Sequence, residues 1–269
     1  MKQLSIQEMR EVQMGILDEV HSFCKQNGIK YSLADGTMLG AVRHKGYIPW
    51  DDDIDIYMYR TDYDRFESLF PSVYKEHYEM LSIHRDHNWH QNYTKVFDNR
   101  TVTGLNTRLV TPYGVNIDVF PLDDVPDDVN EWKTYIRGLK TRFFIRSNKA
   151  RKISKERSFV NNLGIFFLSI LLLPFSRHHL MVWTDRYVQK NNGKGYNHVF
   201  ENGYGPGLKN PIPKYIIDDI VEWDFEDRKY CGFKNADEFL RLSYGDYMQL
   251  PPENQRKHHG EIAYWKDKK

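Results

Sequence analysis

Four aspartates fall within five positions in Ile48-Pro49-Trp50-Asp51-Asp52-Asp53-Ile54-Asp55-Ile56, and this segment limits the fold more tightly than any other. Carboxylates packed so closely repel one another unless cations or hydrogen-bond donors neutralise them. The isoleucines alternating with the last two acids impose a period of two, which predicts a strand over Asp53 to Tyr59. In such a strand Ile54 and Ile56 enter the core while Asp53 and Asp55 project together from the other face. Two carboxylates on one face form a chelate for a hard divalent cation such as Mg2+. The flanking proline, tryptophan and isoleucines argue for a partly buried edge rather than a solvated acidic turn. Asp51 and Asp52 either shape the loop or serve a second metal ion.

Around this strand the chain reads as α+β. Ser5-Ile6-Gln7-Glu8 has the form of a capping box, Met9, Val12, Ile16, Val20 and Phe23 recur at helical spacing, and Asn27-Gly28 closes the helix. Ile29 to Leu33 reads as a short strand, Asp35-Gly36-Thr37 as a turn, and Met38 to Arg43 as the start of a second helix. Thr61 is placed to cap a helix running through Phe70, with Asp64 three positions on. Tyr93 to Phe97 and Val115 to Phe120 read as strands. Asn116-Ile117-Asp118-Val119-Phe120 supplies a third acid, Asp118, flanked by core residues. From about Glu131 to Lys190 the pattern is helical and basic, Asn191 to Pro213 reads as irregular loop, and Asn235 to Tyr244 as a capped helix before Gly245. The expectation is a single domain over residues 1–269, with 131–213 as a helical and loop-rich insertion. Lys and Arg (38) almost cancel Asp and Glu (37), which argues against nucleic acid as a partner. Cys24 and Cys231 stand far apart without a CxxC, as expected of free thiols in the cytoplasm, and the N-terminus lacks the pattern of a secretion signal.

A glycine-threonine turn opening a helix, followed by a strand carrying Asp-x-Asp, resembles the nucleotidyltransferase superfamily. That resemblance implies a mixed sheet flanked by helices. The glycine would let the backbone approach phosphate oxygens, and the helix N-terminus would offer amide donors. The longer string from Leu33 through Ala34-Asp35-Gly36-Thr37-Met38-Leu39-Gly40 and Arg43-His44-Lys45-Gly46 to Asp55 is similar to the signature of the LicD family of bacterial phosphocholine transferases, which includes the fukutin-related ribitol-phosphate transferases. Further similarity runs through Lys95 to Thr101, Asn116 to Pro121 and Tyr244 to Pro252.

Carried over by position, the resemblance implies Asp53, Asp55 and Asp118 as catalytic residues and ligands of Mg2+ or Mn2+. Gly36 and Thr37 would lie beside the donor diphosphate. Arg43, Lys45, Lys95 and Arg100 would neutralise its charge, with Arg43 and Lys95 foremost. It also implies CDP-choline or a related CDP-alcohol as donor, and a lipid-linked glycopolymer precursor (teichoic acid, lipopolysaccharide or capsule) as acceptor. Alternatives on the same fold are transfer of ribitol phosphate or nucleotidyl transfer to a sugar phosphate. A nucleotide-binding scaffold is the non-enzymatic reading. A choline donor asks for aromatic faces around its quaternary ammonium, and Trp50, Trp89 and Tyr113 are candidates. Finally, Leu163 to Phe175 (LGIFFLSILLLPF) follows nine basic residues between Arg137 and Arg157. It is shorter than the roughly 20 residues that span a bilayer. A buried core helix is one reading. Peripheral docking to the inner face of the cytoplasmic membrane is the other.

Overall fold

The capping box closes as expected: the Ser5 side chain accepts from the Glu8 amide, and the Glu8 carboxylate accepts from the Ser5 amide. At the far end Gly28 adopts the left-handed conformation (φ 58°) that ends a helix without Cβ strain. In this computed structural model, residues 1–73, 76–103, 112–150, 158–203, 210–256, 258 and 260–267 are described. Along the chain the first elements are β1 (Lys2–Gln3), α1 (Ile6–Asn27), β2 (Ser32–Leu33), α2 (Asp35–Arg43), β3 (Asp55–Tyr59) and α3 (Arg60–Val73). Next come β4 (Tyr78–Leu81), β5 (Thr94–Asp98), β6 (Thr101–Thr103), β7 (Asn116–Val125), α4 (Val129–Ala150), α5 (Phe159–Leu171) and α6 (Arg177–Val188). The chain continues through β8 (His198–Glu201), β9 (Ile212–Pro213), α7 (Lys214–Ile217), β10 (Ile220–Phe225), β11 (Arg228–Phe233), α8 (Ala236–Tyr244) and β12 (Ala263–Trp265).

The main sheet is mixed, in the order β2-β3-β7-β5-β4, with helices packed around it. Strand β7 organises it. One edge of β7 runs parallel to β3, with Asp118 opposite Asp55. Its other edge pairs antiparallel with β5 through Val119, then with β8 from Leu122 onward. Pro121, which has no amide hydrogen to donate, sits in the gap where the partner changes, so the strand continues through it. A β-strand therefore exists inside the expected loop 191–213: β8 extends the sheet and β9 pairs with it. The period-two pattern there was too short to read among glycines and asparagines. Two other boundaries move. Helix α2 begins at Asp35, not Met38, and α3 begins at Arg60, which leaves Thr61 inside the helix instead of at its cap.

The main core is shared by α1, the sheet, α2, α3 and α8, while α4 and α6 close a second apolar cluster around Tyr135, Leu139 and Val188. Between them lies a buried ionic network. The Arg60 guanidinium grips Asp123 through two bonds (2.8 and 2.7 Å) and reaches Asp185 at 3.3 Å. Asp185 and Glu67 flank the His84 ring and push its pKa up to about 10, so it carries charge at neutral pH. Both cysteines are free, as expected.

Candidate active site

Helix α1 holds the acidic loop in place from behind. Arg10 Nη2 donates to the carbonyls of Ile48 (3.1 Å) and Asp51 (2.6 Å), and Gln13 Nε2 donates to that of Asp52 (2.8 Å). Gln13 is itself buried, and the Tyr47 hydroxyl donates to its Oε1 at 3.0 Å. Converging donors on consecutive carbonyls fix the backbone of a segment whose side chains repel one another. The strand then starts at Asp55, later than Asp53, yet the expected parity holds: Ile54 and Ile56 are fully buried in the core, and Asp53 and Asp55 line the same cavity.

That cavity, about 740 Å³, is lined by Asp51, Asp53, Asp55 and Asp118 together with Asp35, Gly36 and Arg43. Gly36 stands where the carboxylate of Asp51 passes, for a Cβ there would lie 2.7 Å from Asp51 Oδ2. Asp35, the first residue of α2, is held at φ 44°, a left-handed conformation uncommon for a non-glycine residue, and accepts a 2.7 Å bond from the Tyr57 hydroxyl. Thr37 is not in the cavity wall. Its hydroxyl accepts the Asp55 amide at 2.8 Å and is buried, so it pins the strand bearing the acids rather than facing a donor.

Asp118 meets Lys95 directly across the β5–β7 ladder, and Lys95 Nζ donates to Asp118 Oδ1 at 2.5 Å. Asn116 adds a 3.1 Å bond to the same oxygen. Burial raises the Asp118 carboxyl above the usual carboxylate range, against the pull of Lys95. The Tyr93 hydroxyl also bonds Asp118; burial and the neighbouring acids push its own pKa up, which keeps it a donor. Among the described residues no three His, Cys, Asp or Glu side chains are grouped closely enough to hold a metal alone. The three expected carboxylates line one cavity without being grouped that closely, and Asp118 is paired with Lys95. Asp53 and Asp55 still fit Mg2+, which is commonly held by one or two carboxylates, with water and substrate phosphate completing its shell.

The expected cations divide. Arg43 lines the cavity, steadied by a 2.5 Å bond to the Tyr247 carbonyl. Lys95 serves the cavity through Asp118. Lys45 does not reach it: the residue sits in a left-handed turn (φ 62°) and its ammonium lies 5.9 Å from the Trp223 ring. Nor does Arg100, whose guanidinium is clamped on Asp98 at 2.9 and 2.5 Å. The aromatic candidates divide as well. Trp50 lines the cavity, whereas Trp89 is buried and Tyr113 packs against it. Tyr93, Tyr244 and Tyr247 join Trp50 in the wall without having been singled out. For Tyr93 a signal existed, since it lies two residues before Lys95 and so shares its strand face.

A family model described as LicD/FKTN/FKRP, nucleotidyltransferase domain, matches residues 28–162. The lipopolysaccharide cholinephosphotransferase LicD of Haemophilus influenzae is 34% identical over 273 residues, covering 98% of this chain and 99% of that protein. The ribitol 5-phosphate transferases FKRP of human and mouse are each 45% identical over 42 residues, 16% of this chain and 8% of theirs. An end-to-end match, together with a sheet that sets Asp53, Asp55 and Asp118 around one cavity, leads to one assignment: the chain belongs to the LicD/FKTN/FKRP family of nucleotidyltransferase-domain proteins.

Proposed function

We propose that this protein transfers phosphocholine from CDP-choline to a sugar hydroxyl of a bacterial cell-surface glycopolymer, with lipopolysaccharide as the favoured acceptor. The observation that carries this reading is the convergence of Asp53, Asp55, Asp118, Gly36 and Arg43 on one cavity, in a chain aligned along its whole length with a lipopolysaccharide cholinephosphotransferase. Asp53 and Asp55 would hold Mg2+ or Mn2+. Bound there, the ion supplies Lewis acidity toward the donor diphosphate. The chain's own residues do the rest. Gly36 leaves room for the Asp51 carboxylate in the cavity wall, and the N-terminus of α2 beside it offers amide donors to phosphate oxygens. The Arg43 guanidinium offsets negative charge that develops on the leaving CMP. Trp50, Tyr93, Tyr244 and Tyr247 offer aromatic faces to the quaternary ammonium of choline. As the acceptor oxygen attacks the phosphorus bearing choline, the bond to CMP breaks and the hydroxyl proton passes to Asp118. Lys95, Asn116 and Tyr93 orient that carboxylate.

Ribitol phosphate transfer draws on the shorter match to FKRP, which covers only 16% of the chain. Purified protein incubated with lipopolysaccharide and CDP-choline, CDP-ribitol or CTP separates the readings. The expected result is CMP release with CDP-choline, abolished by EDTA and restored by Mg2+. CMP release with CDP-ribitol alone, or pyrophosphate release from CTP, would replace this reading.

A further inference from the structure

Helix α5 is built inside out. Its exposed positions Phe159, Leu163, Phe166, Phe167, Ile170 and Leu171 recur at helical spacing along one stripe, and three of them are 78% (Phe159), 61% (Phe167) and 69% (Leu171) exposed. Within the helix only Ile165 is buried, so the reading of Leu163 to Phe175 as a core helix does not hold. A helix that faces water carries polar residues on that stripe; an apolar one marks a docking surface. No helix among the described residues is long and apolar enough to cross a membrane, and at 13 residues α5 is about 20 Å long.

Charge identifies what covers the stripe. Between Trp132 and Thr184 the described residues carry seven Lys or Arg and no acid, in a chain whose total is nearly balanced at 38 basic to 37 acidic. Helix α4 packs against α5, and Lys149 from α4 donates to the Leu172 carbonyl at 2.8 Å, at the C-terminal end of α5. Arg137 and Lys140 on α4 and Arg177 at the start of α6 are exposed. A second copy docked symmetrically through α5 would bring this cationic segment toward its own counterpart. An anionic lipid surface has the opposite charge and also accepts the apolar stripe. We infer that α5 lies in the plane of an anionic phospholipid surface, with its Phe166 and Phe167 face inserted and the cations of α4 and α6 over the headgroups. This inference does not rest on the transferase reading, and its test does not use turnover.

The test is sedimentation of the full chain with sucrose-loaded vesicles, either phosphatidylcholine alone or equimolar phosphatidylcholine and phosphatidylglycerol. The protein is expected to sediment with the anionic vesicles, to be released by high salt, and to stay in solution with phosphatidylcholine alone. A Phe166→Ser/Phe167→Ser variant, changed only at exposed positions, is expected to melt like the parent and partition about tenfold or more weakly. Val221→Asp, an exposed site on β10, should bind like the parent. Failure to bind anionic vesicles, or equal binding by the double variant, overturns the inference. A dimer in sedimentation velocity that the double variant splits, without vesicle binding, overturns it in favour of a second copy.

Discussion

Asp55→Asn is expected to lower CMP release from CDP-choline by about a hundred- to a thousandfold, because the lost charge stabilisation at the reacting diphosphate amounts to several kcal/mol. The fold should be untouched. Asp55 is the first residue of β3, and its backbone is held on both sides: its amide donates to Thr37 Oγ1 at 2.8 Å and its carbonyl accepts from Ala34 at 2.9 Å. Asparagine keeps both bonds and removes one of four neighbouring negative charges, so the melting temperature should stay level or rise. Steady-state turnover beside a thermal melt checks this. Turnover within threefold of the parent would remove Asp55 from the metal site, and a large loss of stability would recast it as a structural residue.

The second large effect concerns stability. Arg60→Met is expected to cost roughly 3–5 kcal/mol, the usual range when one partner of a buried ion pair is removed. In a chain of this size that corresponds to a fall of about 10 °C in Tm. The cause is specific: Asp123 is fully buried and loses both guanidinium bonds, keeping only donors such as Asn192 Nδ2 at 2.8 Å. Asp185 keeps His84, which faces it at 3.5 Å and is held charged. In the parent, hydrogen bonding from His84 and the charge of Arg60 hold Asp185 below the ordinary carboxylate range despite its burial. Without the arginine, Asp185 loses that charge and its burial drives it toward its neutral form. The gap between variant and parent should therefore be widest near pH 7 and narrow as the pH falls toward 4, where Asp185 takes up a proton in the variant. Melts of both proteins across that range decide it. A shift under 2 °C at pH 7 would mean that the network is not what joins the two apolar clusters.

What the sequence disclosed followed the reach of its signals. The two-residue period around Ile54 and Ile56 is enforced by burial alone, so the shared face of Asp53 and Asp55 could be read without knowing their neighbours. The first helix was legible because its caps are local hydrogen bonds. Contacts between residues distant in sequence were not legible. Nothing local tells that Lys95 falls opposite Asp118. Thr37 carries the same lesson, for its hydroxyl stabilises the backbone of a strand 18 residues further on. Arg10 and Gln13 lie on the first helix, where their polarity reads as solvent-facing, yet they fasten the loop that carries the acids. Strand β8 was missed because four residues among glycines carry too little periodicity, although β7 needs a partner after Pro121.

The proposed function depends on Asp53 and Asp55 holding a divalent ion through which the chain would grip a nucleoside diphosphate. Calorimetric titration of CDP-choline into the protein, once with Mg2+ and once with EDTA, addresses that claim without relying on any acceptor. The account predicts tight donor binding with Mg2+, a large loss with EDTA, and the same weak binding under both conditions for Asp53→Asn/Asp55→Asn. Equal affinity for CDP-choline in the parent with and without the metal would contradict it.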